Sequence, residues 1–258
     1  ISCSLVGSEM CIRDRKYSVE LKKSIEKAGQ LCLDNLKNNS FAPIMMMGNI
    51  QSGKTRAFIG LMSLCFDNDF DMTIILTKCS TALVKQTVSR MTSEFDCFRN
   101  GNATVGEVVA QDILEIDFRS CETMEDKENA VKKFLRRYKG KKRIIVVKKQ
   151  ADNVDRLNLF IEAIVKYEYY KRLLIVDDEA DITSIGYEKF KGQEQLSLRR
   201  ISGAINKMRK SLHSQIEHVL MQVTATPYAL YLQPENFSNN NIMPIKPCLL
   251  YTSPSPRD

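Results

Sequence analysis

Residues Gly48-Asn49-Ile50-Gln51-Ser52-Gly53-Lys54-Thr55 set two glycines, a lysine and a hydroxyl in the spacing G-x-x-x-x-G-K-[ST]. That combination suits a phosphate. Glycines let successive backbone N–H groups point into one concavity, and a helix that follows presents its positive end to the anion. Lys54 can then reach the outer phosphates of a nucleotide, and the Thr55 hydroxyl can bind Mg²⁺. The competing reading is an ordinary glycine turn. The flanks favour the cradle, because Ile44 to Met47 reads as an apolar strand and Thr55 to Phe66 as a buried helix.

Two further stretches end apolar runs in groups able to do chemistry. In LLIVDDEAD, residues 173–181, a buried strand closes on carboxylates. Acids at the carboxyl edge of an open α/β sheet lie where ligands of such sheets bind. One of them can hold Mg²⁺ through water while a neighbour orients an attacking water. In VTATPYAL, residues 223–230, Thr224 and Thr226 bring two hydroxyls to the end of another strand. The same residues also fit a plain strand terminator with a proline stop.

The elements that must position these groups alternate. Helical periodicity runs over residues 17–38, 55–66, 81–95, 125–138 and 154–170, with Gly140 stopping the fourth. A further amphipathic helix carries Leu198, Ile201, Ala204, Ile205, Met208 and Leu212 on one stripe. Short apolar strands are expected at 44–47, 72–76, 143–147, 172–176 and 218–223, and residues 97–125 mix loops with a short strand. Continuously apolar strands alternating with helices predict an α/β domain, a parallel β-sheet flanked by helices on both faces.

The chain's 258 residues, 43% hydrophobic and 27% charged, are enough for one large domain with a sizeable core. No apolar run reaches the length of a membrane span. A net charge of +7 raises the expectation of a polyanionic partner. The eight cysteines (Cys3, Cys11, Cys32, Cys65, Cys79, Cys97, Cys121 and Cys248) form no CxxC pair and read as reduced thiols of a cytoplasmic protein. With only His213 and His218 as imidazoles, a zinc site is not expected. Residues 1–15 (ISCSLVGSEMCIRDR) and 248–258 (CLLYTSPSPRD) continue no neighbouring period and closely resemble translated sequencing-adapter sequence. The other reading is a pair of disordered native termini. The expected organisation is a domain over 16–233, a linker-like tail over 234–247, and two non-native ends.

In order and spacing, GNIQSGKT, DDEAD and TATP resemble motifs I, II and III of superfamily-two helicases and of restriction-enzyme translocases. More narrowly, QSGKT, LLIVDDEAD with Ser184 after it, SGAINKMRKSL and TATPYA resemble the Z-one domain (endonuclease-associated) family of helicase-like ATPases, over roughly residues 40–232. The resemblance implies a RecA-like P-loop NTPase domain that binds ATP and Mg²⁺ and acts on nucleic acid, with DNA preferred to RNA, in restriction or phage defence. It gives Gly48, Gln51, Ser52, Gly53, Lys54 and Thr55 to the phosphates, with Thr55 and Asp178 at the metal. Glu179 becomes the water-activating base, and Asp177 an extra acid ahead of the box. Thr224 and Thr226 would couple the nucleotide to the nucleic-acid side. TKCSTALVKQT, residues 77–87, looks like motif Ia through Leu83 and Gln86, which implies backbone contacts from Lys85 and Gln86. The family's second RecA-like domain supplies an arginine finger, and no segment after residue 232 matches one. The expectation is a first motor domain that holds ATP and turns it over poorly alone. No histidine set or spaced Asp…Glu-x-Lys points to a nuclease.

KKFLRRYKGKKR, residues 132–143, holds eight Lys or Arg in twelve positions and reads either as a phosphate-binding stripe through Arg136 and Arg137 or as a solvated helix end. The same two readings stand for Arg199, Arg200, Lys207, Arg209 and Lys210 on the amphipathic helix. Beside a nucleic-acid motor, the sequence admits a nucleotide-gated interaction module and, less well, a small-molecule kinase.

Overall fold

Short apolar runs bounded by polar residues fold here as strands covered on both faces, and the helices between them bring each strand back beside the sheet. The structure, a computed structural model, describes residues 19–38, 43–48, 54–78, 80–96, 108–167, 170–180, 187–188, 197–198, 200–213, 215–224 and 250–252. In chain order the elements are α1 (Val19–Lys37), β1 (Ile44–Gly48), α2 (Lys54–Asp67), β2 (Met72–Thr77), α3 (Thr81–Asp96) and β3 (Val108–Asp112). A 3-10 turn (Ile113–Glu115) leads on to α4 (Met124–Arg136), β4 (Lys142–Lys148), α5 (Ala151–Lys166) and β5 (Arg172–Asp178). Then come β6 (Tyr187–Glu188), β7 (Ser197–Leu198), α6 (Arg200–His213), β8 (Glu217–Thr224) and β9 (Leu250–Thr252).

The main sheet has the order β3-β4-β2-β5-β8-β1-β9, and its pairs are parallel. Parallel neighbours need crossovers, which is why helices cover both faces. Side-chain alternation splits the core accordingly. Ile75, Ile144, Val146, Leu174, Val176, Val219 and Met221 pack with α1, α2 and α3. Ile74, Leu76, Ile145, Val147, Leu173, Ile175 and Leu220 pack with α4, α5 and α6.

Local chemistry sets the helix ends and contacts. Thr123 and Asp126 form a reciprocal capping box at the start of α4. Gly140, with φ 80°, turns the chain out of that helix into β4. On α1 a stripe of Leu21, Ile25, Ala28 and Cys32 faces α2, where Gly60 allows the two helices to approach closely. Among the described residues, no helix is long and apolar enough to cross a membrane.

Two details differ from the sequence reading, and a third was not anticipated by it. Leu198 pairs with Tyr187 in a short antiparallel ladder, so α6 begins at Arg200; Leu198 matches the helical period only by position. Arg209 is 8% exposed, buried within α6, and loss of water pushes its guanidinium down to about 10. It therefore belongs to neither a solvated face nor a surface phosphate stripe. Leu250–Thr252, inside the stretch read as foreign, lies along the outer edge of β1, with Met46 beside Leu250 and Gly48 beside Thr252. That pairing uses backbone groups and is indifferent to side-chain identity.

Candidate functional site

Parallel strands all point their carboxyl ends to one edge, and register decides which of those ends line up. In the order β5-β8-β1, Asp178 lies beside Val223, and Thr224 beside Met47. The acidic end of β5, the hydroxyl end of β8 and the glycine end of β1 therefore form one row. From Asp178 to Gly48 this row spans two strand spacings, about 10 Å. Gly48 is the last residue of β1, and Lys54 opens α2, whose first turn carries the positive end of the helix. Gln51, Ser52 and Gly53 lie outside the described residues, as does Thr226. Lys54 and Thr55 are described as the first turn of α2. Thr224 is fully buried at the end of β8.

The acids divide by strand alternation. Asp177 is 1% exposed, and one of its carboxylate oxygens lies 3.0 Å from the ammonium of Lys149, also buried. The extra acid ahead of the box is thus an internal counter-ion. Asp178, on the opposite face of the strand, is half-buried at the edge. Glu179 leaves the strand in the left-handed region, φ 52°, which L side chains seldom adopt. Its carboxylate forms an ion pair with Lys78, just past the end of β2. Lys149 donates in addition to the main-chain oxygens of Asp178 at 2.6 Å and Glu179 at 3.0 Å.

The segment after Lys78 carries the residues expected to face nucleic acid. Ser80 starts α3, its hydroxyl accepting from the Leu83 N–H at 3.4 Å and its carbonyl from the Val84 N–H at 3.1 Å. Val84 anchors the helix in the core, and Leu83, Lys85 and Gln86 are exposed. Their helix begins at the same sheet edge as Glu179. Arg136 and Arg137, also exposed, end α4, whose last carbonyls (Phe134 and Leu135) accept from Arg143 at the start of β4. Arg137 pairs with Glu115 at 3.7 Å and stacks against Tyr138. Arg137 is thereby joined to the 3-10 turn after β3.

Sequence reasoning missed Lys78 and Lys149. Each follows an apolar strand directly, and a polar residue there ordinarily marks nothing more than the strand's end.

The strand order and the row of ends define an α/β domain of RecA-like architecture, with helices on both faces of a parallel sheet. No protein-family model matches the chain, and no curated protein matches it. Among solved structures, it is similar to the DUF1998 helicase MrfA bound to DNA, with a TM-score of 0.49 and 11% identity over 97% of this chain and 30% of that one. The same helicase bound to DNA and AMPPNP gives a TM-score of 0.47 and 10% identity, covering 98% of this chain and 29% of that one. The ATP-dependent Type ISP restriction-modification enzyme LlaBIII bound to DNA gives 0.46 and 18%, covering 83% of this chain and 13% of that one. The chain spans less than a third of the length of each.

Proposed function

We propose that the chain is the ATP-binding and ATP-hydrolysing first motor domain of a helicase-like enzyme of the Z-one type, acting on nucleic acid in restriction or phage defence, with DNA as the track. One observation carries the reading: the three motif-bearing strands β5, β8 and β1 are adjacent and in register, so their acids, hydroxyl and glycine meet at one edge. A shared edge is common to all strands of a parallel sheet; that the three motif-bearing strands are neighbours in it is what supports the reading.

In this reading the backbone from Gly48 to Gly53 cradles the phosphates and Lys54 neutralises the outer ones. Asp178 and Thr55 offer hard oxygens to Mg²⁺. The donor set fits that ion, since Mg²⁺ is held by one or two carboxylates together with substrate phosphates. Among the described residues there is no cluster of three or more His, Cys, Asp or Glu that could cage a metal. When bound, Mg²⁺ offsets charge on the transferring phosphoryl group. Glu179 orients and deprotonates the attacking water, and Thr224 with Thr226 relays the state of the nucleotide towards α3. A second RecA-like domain completes the motor.

A second reading, an ATP-gated interaction module, is favoured by one contact. Glu179 is engaged by Lys78, and a base so engaged slows turnover while leaving binding untouched. ATP hydrolysis measured with and without single- and double-stranded DNA separates the two. Stimulation by DNA is the motor's outcome; bound ATP with no stimulation would leave the module. In either case Lys54→Ala should abolish binding of a fluorescent ATP analogue, and tight Mg²⁺-dependent binding by that variant would remove the cradle assignment.

A further inference from the structure

Lys149 lies one residue beyond β4, and its N–H donates to the Thr77 carbonyl at 2.8 Å, extending the β4–β2 ladder by one step. From there the side chain passes the end of β2 and reaches β5. Its ammonium has three protons and meets three oxygens: Asp177 Oδ1 at 3.0 Å, the Asp178 carbonyl at 2.6 Å and the Glu179 carbonyl at 3.0 Å. The side chain is wholly buried.

A buried ion pair is a poor device for stability alone, because a well-packed apolar pair of similar volume commonly serves as well or better. What an apolar pair lacks is the means to aim two successive carbonyls at a single point. Those carbonyls belong to Asp178 and Glu179, and between them the chain leaves the extended strand for the left-handed turn at Glu179. A non-glycine residue persists in that conformation only when its surroundings hold it there. Asp177 faces the ammonium at 3.0 Å and fixes its place behind the turn.

We infer that Lys149, with Asp177 as its counter-ion, is a positioning residue that sets the directions of the Asp178 and Glu179 side chains at the nucleotide site. The inference rests on the proposed ATP site and adds to it a residue acting from behind the strand. It makes no contact with nucleotide. Its loss should alter how metal and water are held while leaving the phosphate cradle on β1 and α2 intact.

The test uses the 258-residue chain and mant-ATP as probe, titrated once with Mg²⁺ and once with EDTA. Lys149→Met should keep the affinity measured in EDTA and reduce the tightening by Mg²⁺ by about 10-fold or more, as the loss of a group supporting a metal ligand does. The double variant Lys149→Met, Asp177→Met replaces the ion pair by an apolar one. It should fold and show the same selective loss, which separates aim from stability. An unchanged Mg²⁺ effect in either folded variant overturns the positioning role and leaves the ATP site standing. Unfolding of both variants overturns it too, by making Lys149 a stability element. Failure of the unaltered chain to bind mant-ATP in a Lys54-dependent way defeats the ATP site and the inference together.

Discussion

The contact between α1 and α2 offers a sharp test, because α2 is the helix that begins with Lys54 and Thr55. At Gly60 an added Cβ would lie 2.6 Å from Ile25 Cδ1 and 3.4 Å from Ile25 Cγ1 and Cγ2. Carbon atoms prefer about 3.5–4.0 Å, so in Gly60→Ala the Ile25 methyl must withdraw by about 1 Å. Ile25 is fully buried, and a close-packed interior gives it little room. Overpacking of this kind costs about 1–3 kcal/mol, whereas alanine in place of glycine inside a helix contributes about 1 kcal/mol of stability. Gly60→Ala should therefore destabilise the chain by about 1 kcal/mol net. Ile25→Val removes the obstructing Cδ1 at a cost of about 0.5–1.5 kcal/mol by itself. In that background Gly60→Ala should become stabilising by about 1 kcal/mol, because only the helix preference is left. Urea unfolding of the four proteins gives the coupling directly, expected near 2 kcal/mol from those two terms. Effects that add to within about 0.5 kcal/mol would refute the argument, since the Cδ1 contact would then cost nothing.

Other expectations concern the acid edge and α4. Glu179→Gln should leave Mg²⁺-ATP affinity intact and lower hydrolysis by the complete enzyme by about 10²- to 10⁴-fold, read by phosphate release; undiminished release would move the base elsewhere. Lys78→Met frees Glu179 from a half-exposed ion pair worth about 0–1 kcal/mol, so DNA-independent hydrolysis should rise by no more than about fivefold. A fall in that rate would show that Lys78 assists the reaction. At the start of α4, the Thr123 hydroxyl and N–H hold the Asp126 carboxyl below its ordinary value. A carboxylate lowered on folding adds stability above its unfolded pKa and loses it as pH falls through the lower folded value, so α4 should fray at its start in acid. Thr123→Ala should raise the Asp126 titration midpoint in a carboxyl-detected NMR titration, and an unmoved midpoint would discount the capping box.

What the sequence made legible follows from how each residue is constrained. β2, β4, β5 and β8 are buried on both faces, so each carries a run of mainly apolar residues that stands out from the polar turns around it. β3 has half-buried residues and a buried Gln111, and its Val-Val-Ala-Gln-Asp carries no such signal. Leu198 shows the opposite failure, a period matched by coincidence where a two-residue ladder prevails. The acids at 178 and 179 stand out in the sequence because an apolar strand ending in carboxylates calls for a ligand or a counter-charge. Which acid has which partner is not legible there, since adjacent strand residues face opposite ways and only the neighbouring strands decide what each meets. Lys148 and Lys149 make the point most plainly. They are two identical side chains at the end of one strand, one half-buried at the edge and the other wholly enclosed against Asp177. Nothing in Val-Val-Lys-Lys-Gln separates them. The distinction arises only once β2 lies between β4 and β5, short enough for the second lysine to pass its end and reach the turn at Glu179.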